Sequence, residues 1–219
     1  MRLSLRRPVT DYDKVQRAIG AVARNRQIFN KALGSGCYVN LGCGPNTNSN
    51  FVNLDYNWRP GIDVCWDVTR GLPFSDGHCG GLFTEHMLEH LEFDEACALL
   101  HECARVLQPG ATIRVVVPDG EIYLNEYAKH RRGDAAAMPY GADDRASHPR
   151  ATPMYSINRI FRHHGHKFIW DAETLIAELI AAGFQDAEKM SFRRCRDPLL
   201  VLDTPQREIE SLYVDATRG

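Results

Sequence analysis

Two groups of residues in this 219-residue chain carry chemistry by their types and spacing. The first is Gly42-Cys43-Gly44, which follows a β-type run from Cys37 to Leu41, together with Asp55 at the end of a second apolar run that begins at Phe51. Glycine directly after a buried strand lets the backbone turn sharply, and the missing side chain lets a ligand lie against main-chain N–H groups. A carboxylate at the tip of the next strand can accept both hydroxyls of a ribose, the logic of nucleoside binding at a doubly wound sheet. The second group is Glu85-His86-Met87-Leu88-Glu89-His90, at the exit of the run Gly81 to Thr84. Histidine is the natural base near neutral pH, and His86 and His90 stand where a substrate would arrive. If the chain is helical from Met87, then His86, Glu89 and His90 share one face by i, i+3 and i+4 spacing. His-x-x-Glu-His could then offer three ligands to one divalent metal ion.

The elements that must position these groups alternate strand and helix, which implies an α/β fold with an open, mostly parallel sheet. Residues 11–33 read as an amphipathic helix carrying Val15, Ile19, Val22, Phe29 and Leu33, stopped by Gly34 and expected to cover the sheet or the ligand mouth. Between Gly44 and Phe51 there is no room for the crossover helix that a parallel pair usually needs, so the first crossover is expected to be shortened to a loop or one turn. A third strand is expected over 62–67, a turn-rich loop over 71–77, a helix over 92–107, and a buried strand from Ala111 to Val117. Residues 119–165 follow the fifth strand as an insertion, helical from Glu121 to Arg131 and irregular beyond, of the kind that forms a lid or substrate wall. Asp171 caps a helix that ends at Gly183. Two last strands are expected over 184–192 and 208–216. The chain reads as one domain over 1–219.

Composition narrows the class. A net charge of −2 gives no overall case for nucleic acid or an anionic membrane, although basic clusters lie at 129–132, 159–167 and 193–196. Seven scattered cysteines without a C-x-x-C pair argue against a disulfide framework or zinc ribbon and for a reducing, cytoplasmic setting. No window of 18 apolar residues and no signal-peptide core are present, so no membrane span is expected.

Taken in order, Asn40-Leu41-Gly42-Cys43-Gly44, Asn53-Leu54-Asp55, Asp67-Val68-x-x-Gly71-Leu72-Pro73-Phe74 and Glu85-His86-Met87-Leu88-Glu89-His90-Leu91 resemble class I S-adenosylmethionine-dependent methyltransferases. Leu107-Gln108-Pro109-Gly110, Val117-Pro118-Asp119, Gly165-His166-Lys167-Phe168 and Ala182-Gly183-Phe184 extend the resemblance over roughly 36–217. It is nearest to a bacterial group linked to sugar and polysaccharide pathways.

The resemblance implies a Rossmann-like methyltransferase fold, a seven-stranded sheet with an antiparallel last strand. It implies S-adenosylmethionine as cofactor, with Gly42, Cys43 and Gly44 near its methionine part and Glu85 beside that part. Asp55 would hold the ribose hydroxyls, and Asp67 with the Val68 backbone would read the adenine edge. Metal-dependent ubiquinone-pathway O-methyltransferases and small-RNA 3′-terminal methyltransferases carry Glu-x-x-Glu-His where His86 to His90 stand. The latter add a later histidine before Lys-Phe-x-Trp, which here is His166. On that likeness His86, Glu89, His90 and His166 are a candidate set for a divalent metal, which could bind a vicinal diol and lower the pKa of one hydroxyl. Three readings of the histidines stay open: metal ligands, direct bases (His86, His90, His166), or a structural cluster. The expected function is O-methylation of a small hydroxylated acceptor such as a sugar or an anionic sugar derivative. A non-catalytic methyltransferase-fold binding protein and an RNA 2′-O-methyltransferase stand as alternatives. A dinucleotide-dependent oxidoreductase is disfavoured, because Thr47 stands where its fingerprint needs a third glycine.

Overall fold

The computed structural model describes residues 11–26 and 34–219. Seven strands form one sheet: β1 (Cys37–Leu41), β2 (Val52–Asp55), β3 (Val64–Cys65), β4 (Cys79–Glu85), β5 (Leu107–Pro118), β6 (Phe184–Met190) and β7 (Ser211–Arg218). Their order is β3-β2-β1-β4-β5-β7-β6. β1 to β5 pair in parallel, and β7 runs antiparallel to both β5 and β6. This is the Rossmann-like methyltransferase sheet. The order reverses between β1 and β4, and there the strand ends open a crevice at their carboxyl edge.

The short first crossover has a specific physical solution. The described residues 42–51 form turns and no helix. Two asparagines in register on β1 and β2, Asn40 and Asn53, are both 3% exposed. Asn40 Nδ2 donates to Asn46 O at 2.8 Å, and Asn53 Nδ2 donates to Asn48 O at 2.9 Å. The Asn48 N–H donates back to Asn53 Oδ1 at 2.8 Å. Buried side-chain amides thus peg the loop backbone in place of a helix.

One face of the sheet is packed by α2 (Phe93–Val106) and α6 (Ala172–Ala181), which bury Leu99, Leu100, Cys103, Leu175 and Leu179 against Ile113, Val115 and Val117 of β5. On the opposite face a smaller cluster joins Phe51, Phe83, Val116, Leu200 and Tyr213. Between them on that face stands Arg114, fully buried in β5. Its Nε and Nη2 donate to the two carboxylate oxygens of Asp203 at 2.7 Å each, and its Nη1 donates to Asp215 of β7 at 2.7 Å. Carbonyls of Ser191 and Arg194 accept its remaining protons. This hub ties the segment 191–203 to the sheet.

The element boundaries differ from expectation in several places. The third strand contracts to Val64–Cys65, because the Asp67 side chain caps a 3-10 turn over Val68–Arg70. The final strand starts at Ser211, since Pro205–Glu210 form a 3-10 helix that begins on proline. The irregular insertion contains α3 (Gly120–Arg132), α4 (Gly141–Ser147) and α5 (Pro153–Arg162). The chain after Met87 is not a continuing helix: Leu88–His90 form one 3-10 turn, and His86 has φ of 51°. In the N-terminal helix, α1 covers Asp11–Ala23, and Phe29 and Leu33 lie outside the described residues. Its apolar residues Val15 and Val22 are exposed; contact with the sheet edge runs instead through Gly20, beside the Trp58 backbone, and through Arg24 over the Tyr56 ring. Among the described residues no helix is long and apolar enough to cross a membrane.

Candidate active site

Two cavities open side by side at the carboxyl ends of β1, β2 and β4. The first, about 390 Å³, is lined by Gly42, Asp55, Asp67, Val68, Met87 and Lys167 among others. Gly42 has φ of 67°, and a side chain there would collide with Met87, whose Cγ lies 2.2 Å from the Cβ position. Glycine is needed at this turn for both reasons. Asp55 is braced at the cavity edge: Oδ2 accepts the Gly44 N–H at 2.8 Å and Oδ1 accepts the Asn57 N–H at 2.7 Å. Each oxygen keeps a lone pair for a further donor. Asp67 Oδ1 accepts the Thr69 N–H and hydroxyl, which fixes the turn that presents Val68. Apolar walls come from Leu54, Trp66 and Leu91. A flat aromatic base bounded by a carboxylate and a diol-binding carboxylate suits this volume and donor set.

Three of the expected cofactor residues stand elsewhere. Gly44 acts on this cavity through its hydrogen bond to Asp55. Cys43 is buried beside Asn40 and Glu85, and burial pushes its thiol up to about 12, so it is an inert packing group. Glu85 accepts hydrogen bonds from the Thr204 N–H at 2.8 Å and hydroxyl at 2.5 Å, which turns its carboxylate toward the 204–210 segment.

The second cavity, about 750 Å³, contains the histidines. Glu89 is wholly buried, and neither of its oxygens has a hydrogen-bond partner. Around Glu89 Oε1 stand His86 Nδ1 at 3.6 Å, His166 Nε2 at 3.8 Å and His90 Nε2 at 4.0 Å. These separations are too long for hydrogen bonds and leave room for an ion between the groups. Ligand atoms of Glu89, His90 and His166 all lie within 4.8 Å of one another. His166 Nδ1 is bonded to the Ile160 carbonyl at 2.7 Å, so that ring donates there and turns its Nε2 inward. His86 differs: its Nε2 is hydrogen-bonded to Ser211 Oγ at 2.8 Å, so it braces the cluster from β7. Burial pushes the Glu89 carboxyl up to about 8. Burial, then the nearby Arg207 charge, brings His86 down to about 2, which makes it a neutral imidazole. His90 is lowered by burial and by His166.

His90 lines both cavities, so it stands where they meet. Lys167 faces the first cavity while its neighbour His166 faces the second, and the Lys167 N–H donates to the Glu89 carbonyl at 2.8 Å. Glu89 and the three histidines come together as a group, with His86, Glu89 and His90 from the exit of β4 and His166 from the chain beyond α5. The rest of the second cavity comes partly from the insertion expected as a lid or substrate wall, through Tyr140 and Arg159, and partly from the 3-10 helix before β7, through Gln206, Arg207 and Glu210, which has no signal in the sequence.

Residues 46–115 match a family model described as a methyltransferase domain. The matched segment runs from the first crossover into β5 and so contains Asp55, Asp67 and the histidine-bearing turn at 86–90. Among solved structures, the chain is similar to an S-adenosylmethionine-dependent methyltransferase from Thermotoga maritima, at 16% identity over 85% of this chain and 84% of that one, with a TM-score of 0.49. A second, from Archaeoglobus fulgidus, has 15% identity over 92% and 94%, at 0.49. A third, from Mesorhizobium loti, has 17% identity over 95% and 98%, at 0.47. No curated protein matches the chain.

Proposed function

We propose that the chain is an S-adenosylmethionine-dependent methyltransferase that O-methylates a small hydroxylated acceptor, a sugar or sugar derivative, held in the larger cavity and activated at Glu89. The observation that carries the reading is the buried Glu89 carboxylate without a hydrogen-bond donor, facing three imidazole nitrogens at 3.6–4.0 Å. A buried carboxylate left this way is costly unless a cation completes it. A carboxylate with two or three imidazoles suits a divalent transition ion. Glu89, His90 and His166 are the residues that would hold it, and such an ion supplies Lewis acidity that lowers the pKa of a bound hydroxyl.

The chain's own residues then have separate tasks. Gly42, Asp55, Asp67 and Val68 hold S-adenosylmethionine in the smaller cavity, the source of the methyl group. Ile160 and Ser211 fix the ring orientations of His166 and His86 through the hydrogen bonds described above. His90, at the junction of the cavities, sets where the acceptor oxygen meets the methyl. Transfer is an in-line displacement, so holding the two groups at near-attack distance supplies much of the rate. The largely polar lining of hydroxyl, amide, guanidinium and carboxylate groups is the kind of surface that holds a polyhydroxylated molecule. Seven free cysteines suit a reducing, cytoplasmic setting.

The test is calorimetric titration of chelator-treated protein with Mn2+, repeated in His166→Ala and Glu89→Gln. The expected result is one ion bound by the wild type and at least tenfold weaker binding in both variants. Absence of binding by the folded wild type would contradict the ion and leave a histidine as the direct base. Mass detection of methylated products from a sugar-nucleotide panel, run beside RNA, tests the acceptor class.

A further inference from the structure

Besides the histidines, the larger cavity has charges of both signs in or beside its lining, and they are not equally engaged. Asp144 accepts from Ser156 Oγ at 2.5 Å and lies 2.7 Å from Arg159 Nε. Glu210 accepts from the buried Tyr123 hydroxyl at 2.7 Å. Glu85 is held by both donors of Thr204. The remaining acid of the wall, Asp143, is exposed. Arg207 is different. Its guanidinium is one-third exposed, and its Nη1 reaches the Glu85 carbonyl only at 3.5 Å and the Glu85 carboxylate only at 3.6 Å. Its charge is felt at His86, Glu89 and His90, so it faces the same space as the cluster. The backbone that carries it is pinned across the cavity, where the Tyr140 hydroxyl donates to the Gln206 carbonyl at 2.8 Å.

A planar guanidinium held loosely by an already satisfied carboxylate, on the wall of a polar cavity, is a fork waiting for an oxyanion. We propose that the acceptor carries an acid group and that Arg207 binds it while a neighbouring hydroxyl is presented to the histidine cluster. This rests on the acceptor-site reading above and narrows it to polyhydroxy acids. Carboxylate and phosphate offer the fork the same pair of oxygens, so a sugar acid and a sugar phosphate are the two sources. Arg207 is a specificity residue: it touches the substrate's acid group and leaves the methyl-transfer groups to others.

The experiment measures methyl transfer and equilibrium binding, with S-adenosylhomocysteine present in the binding arm. The probes are glucuronate, galacturonate and mannuronate, the matching neutral hexoses, and the hexose 6-phosphates. The wild type should prefer the acidic members of at least one series tenfold or more over their neutral partners. Uronate preference alone identifies a carboxylate, and phosphate preference alone identifies a phosphate. Arg207→Gln should bring the preference to within about threefold of unity, Arg207→Lys should retain part of it, and affinity for S-adenosylhomocysteine should stay within twofold in both. Equal use of neutral and acidic members, no acidic member bound, or a preference that survives in Arg207→Gln would each overturn the proposal. Loss of S-adenosylhomocysteine binding by the wild type would instead fall on the cofactor assignment, so the two failures are distinguishable.

Discussion

Glu89 and its three imidazoles show how individual groups at this site constrain one another. Each histidine has a distinct second contact: Ser211 for His86, the Ile160 carbonyl for His166, and the cavity junction for His90. None of these contacts gives Glu89 a donor. Glu89→Gln keeps the shape of the side chain and removes its charge, so the fold should persist by circular dichroism while turnover falls by a factor of a hundred or more. Wild-type turnover with the variant would remove Glu89 from the chemistry. Strain is present at the same place, since His86 adopts φ of 51°, a conformation that costs a non-glycine residue on the order of 1–3 kcal/mol. Much of this cluster was legible, because His-x-x-Glu-His is a local pattern. The reason given by the pattern was nevertheless incomplete: a helix was expected, and a 3-10 turn after a strained residue brings the groups together instead. Ser211 as the partner of His86, 125 residues away, has no local signal.

Two elements support the sheet that carries the sites, the first crossover and α6. The asparagine-pegged crossover replaces a helix, and Asn53 serves both the loop backbone and Asp63. Asn53→Ala removes the acceptor of the part-buried Asn48 N–H and leaves the Asn48 carbonyl only the Phe51 N–H, a cost of about 1 kcal/mol or more. Chemical denaturation should show that loss, and S-adenosylhomocysteine binding should weaken with it because the Gly42–Gly44 turn loosens. The second is α6, whose Asp171 cap accepts the Thr174 N–H at 2.9 Å. Hydrogen bonding by Thr174 lowers the Asp171 pKa, so its contribution is present above the ordinary value of 3.8 and fades as pH falls through the lowered value. Asp171→Ala should therefore cost about 1 kcal/mol at pH 7 and less on strong acidification, read from thermal melts across pH. The cap was legible because Asp precedes an apolar repeat at helical spacing. The crossover was legible only as a shortage of residues; that two buried amides fill the gap required their register on adjacent strands.

Across the molecule, most strands and their glycine turns follow from local runs, whereas the larger cavity is assembled from segments at 86–90, 140–166 and 204–210 that come together only in the fold. The segment carrying Thr204 and Arg207 is held in place by the Arg114 hub through Asp203. Arg114 sits inside what reads as a continuous apolar strand, and its partners lie 89 and 101 residues on, so no window of sequence identifies it. Arg114→Met would leave two buried carboxylates unpaired, a loss of about 3–5 kcal/mol in denaturation experiments. An unchanged midpoint would show that the hub contributes nothing to holding that wall. The proposed activity requires that the smaller cavity hold the methyl donor. Calorimetric titration with S-adenosylhomocysteine, of wild type and of Asp55→Ala, bears on that directly. The wild type should bind at micromolar concentration, and the folded variant at least tenfold more weakly. No binding by the wild type, or equal affinity in the variant, would contradict the assignment of this cavity and of the Asp55 strand end to the cofactor.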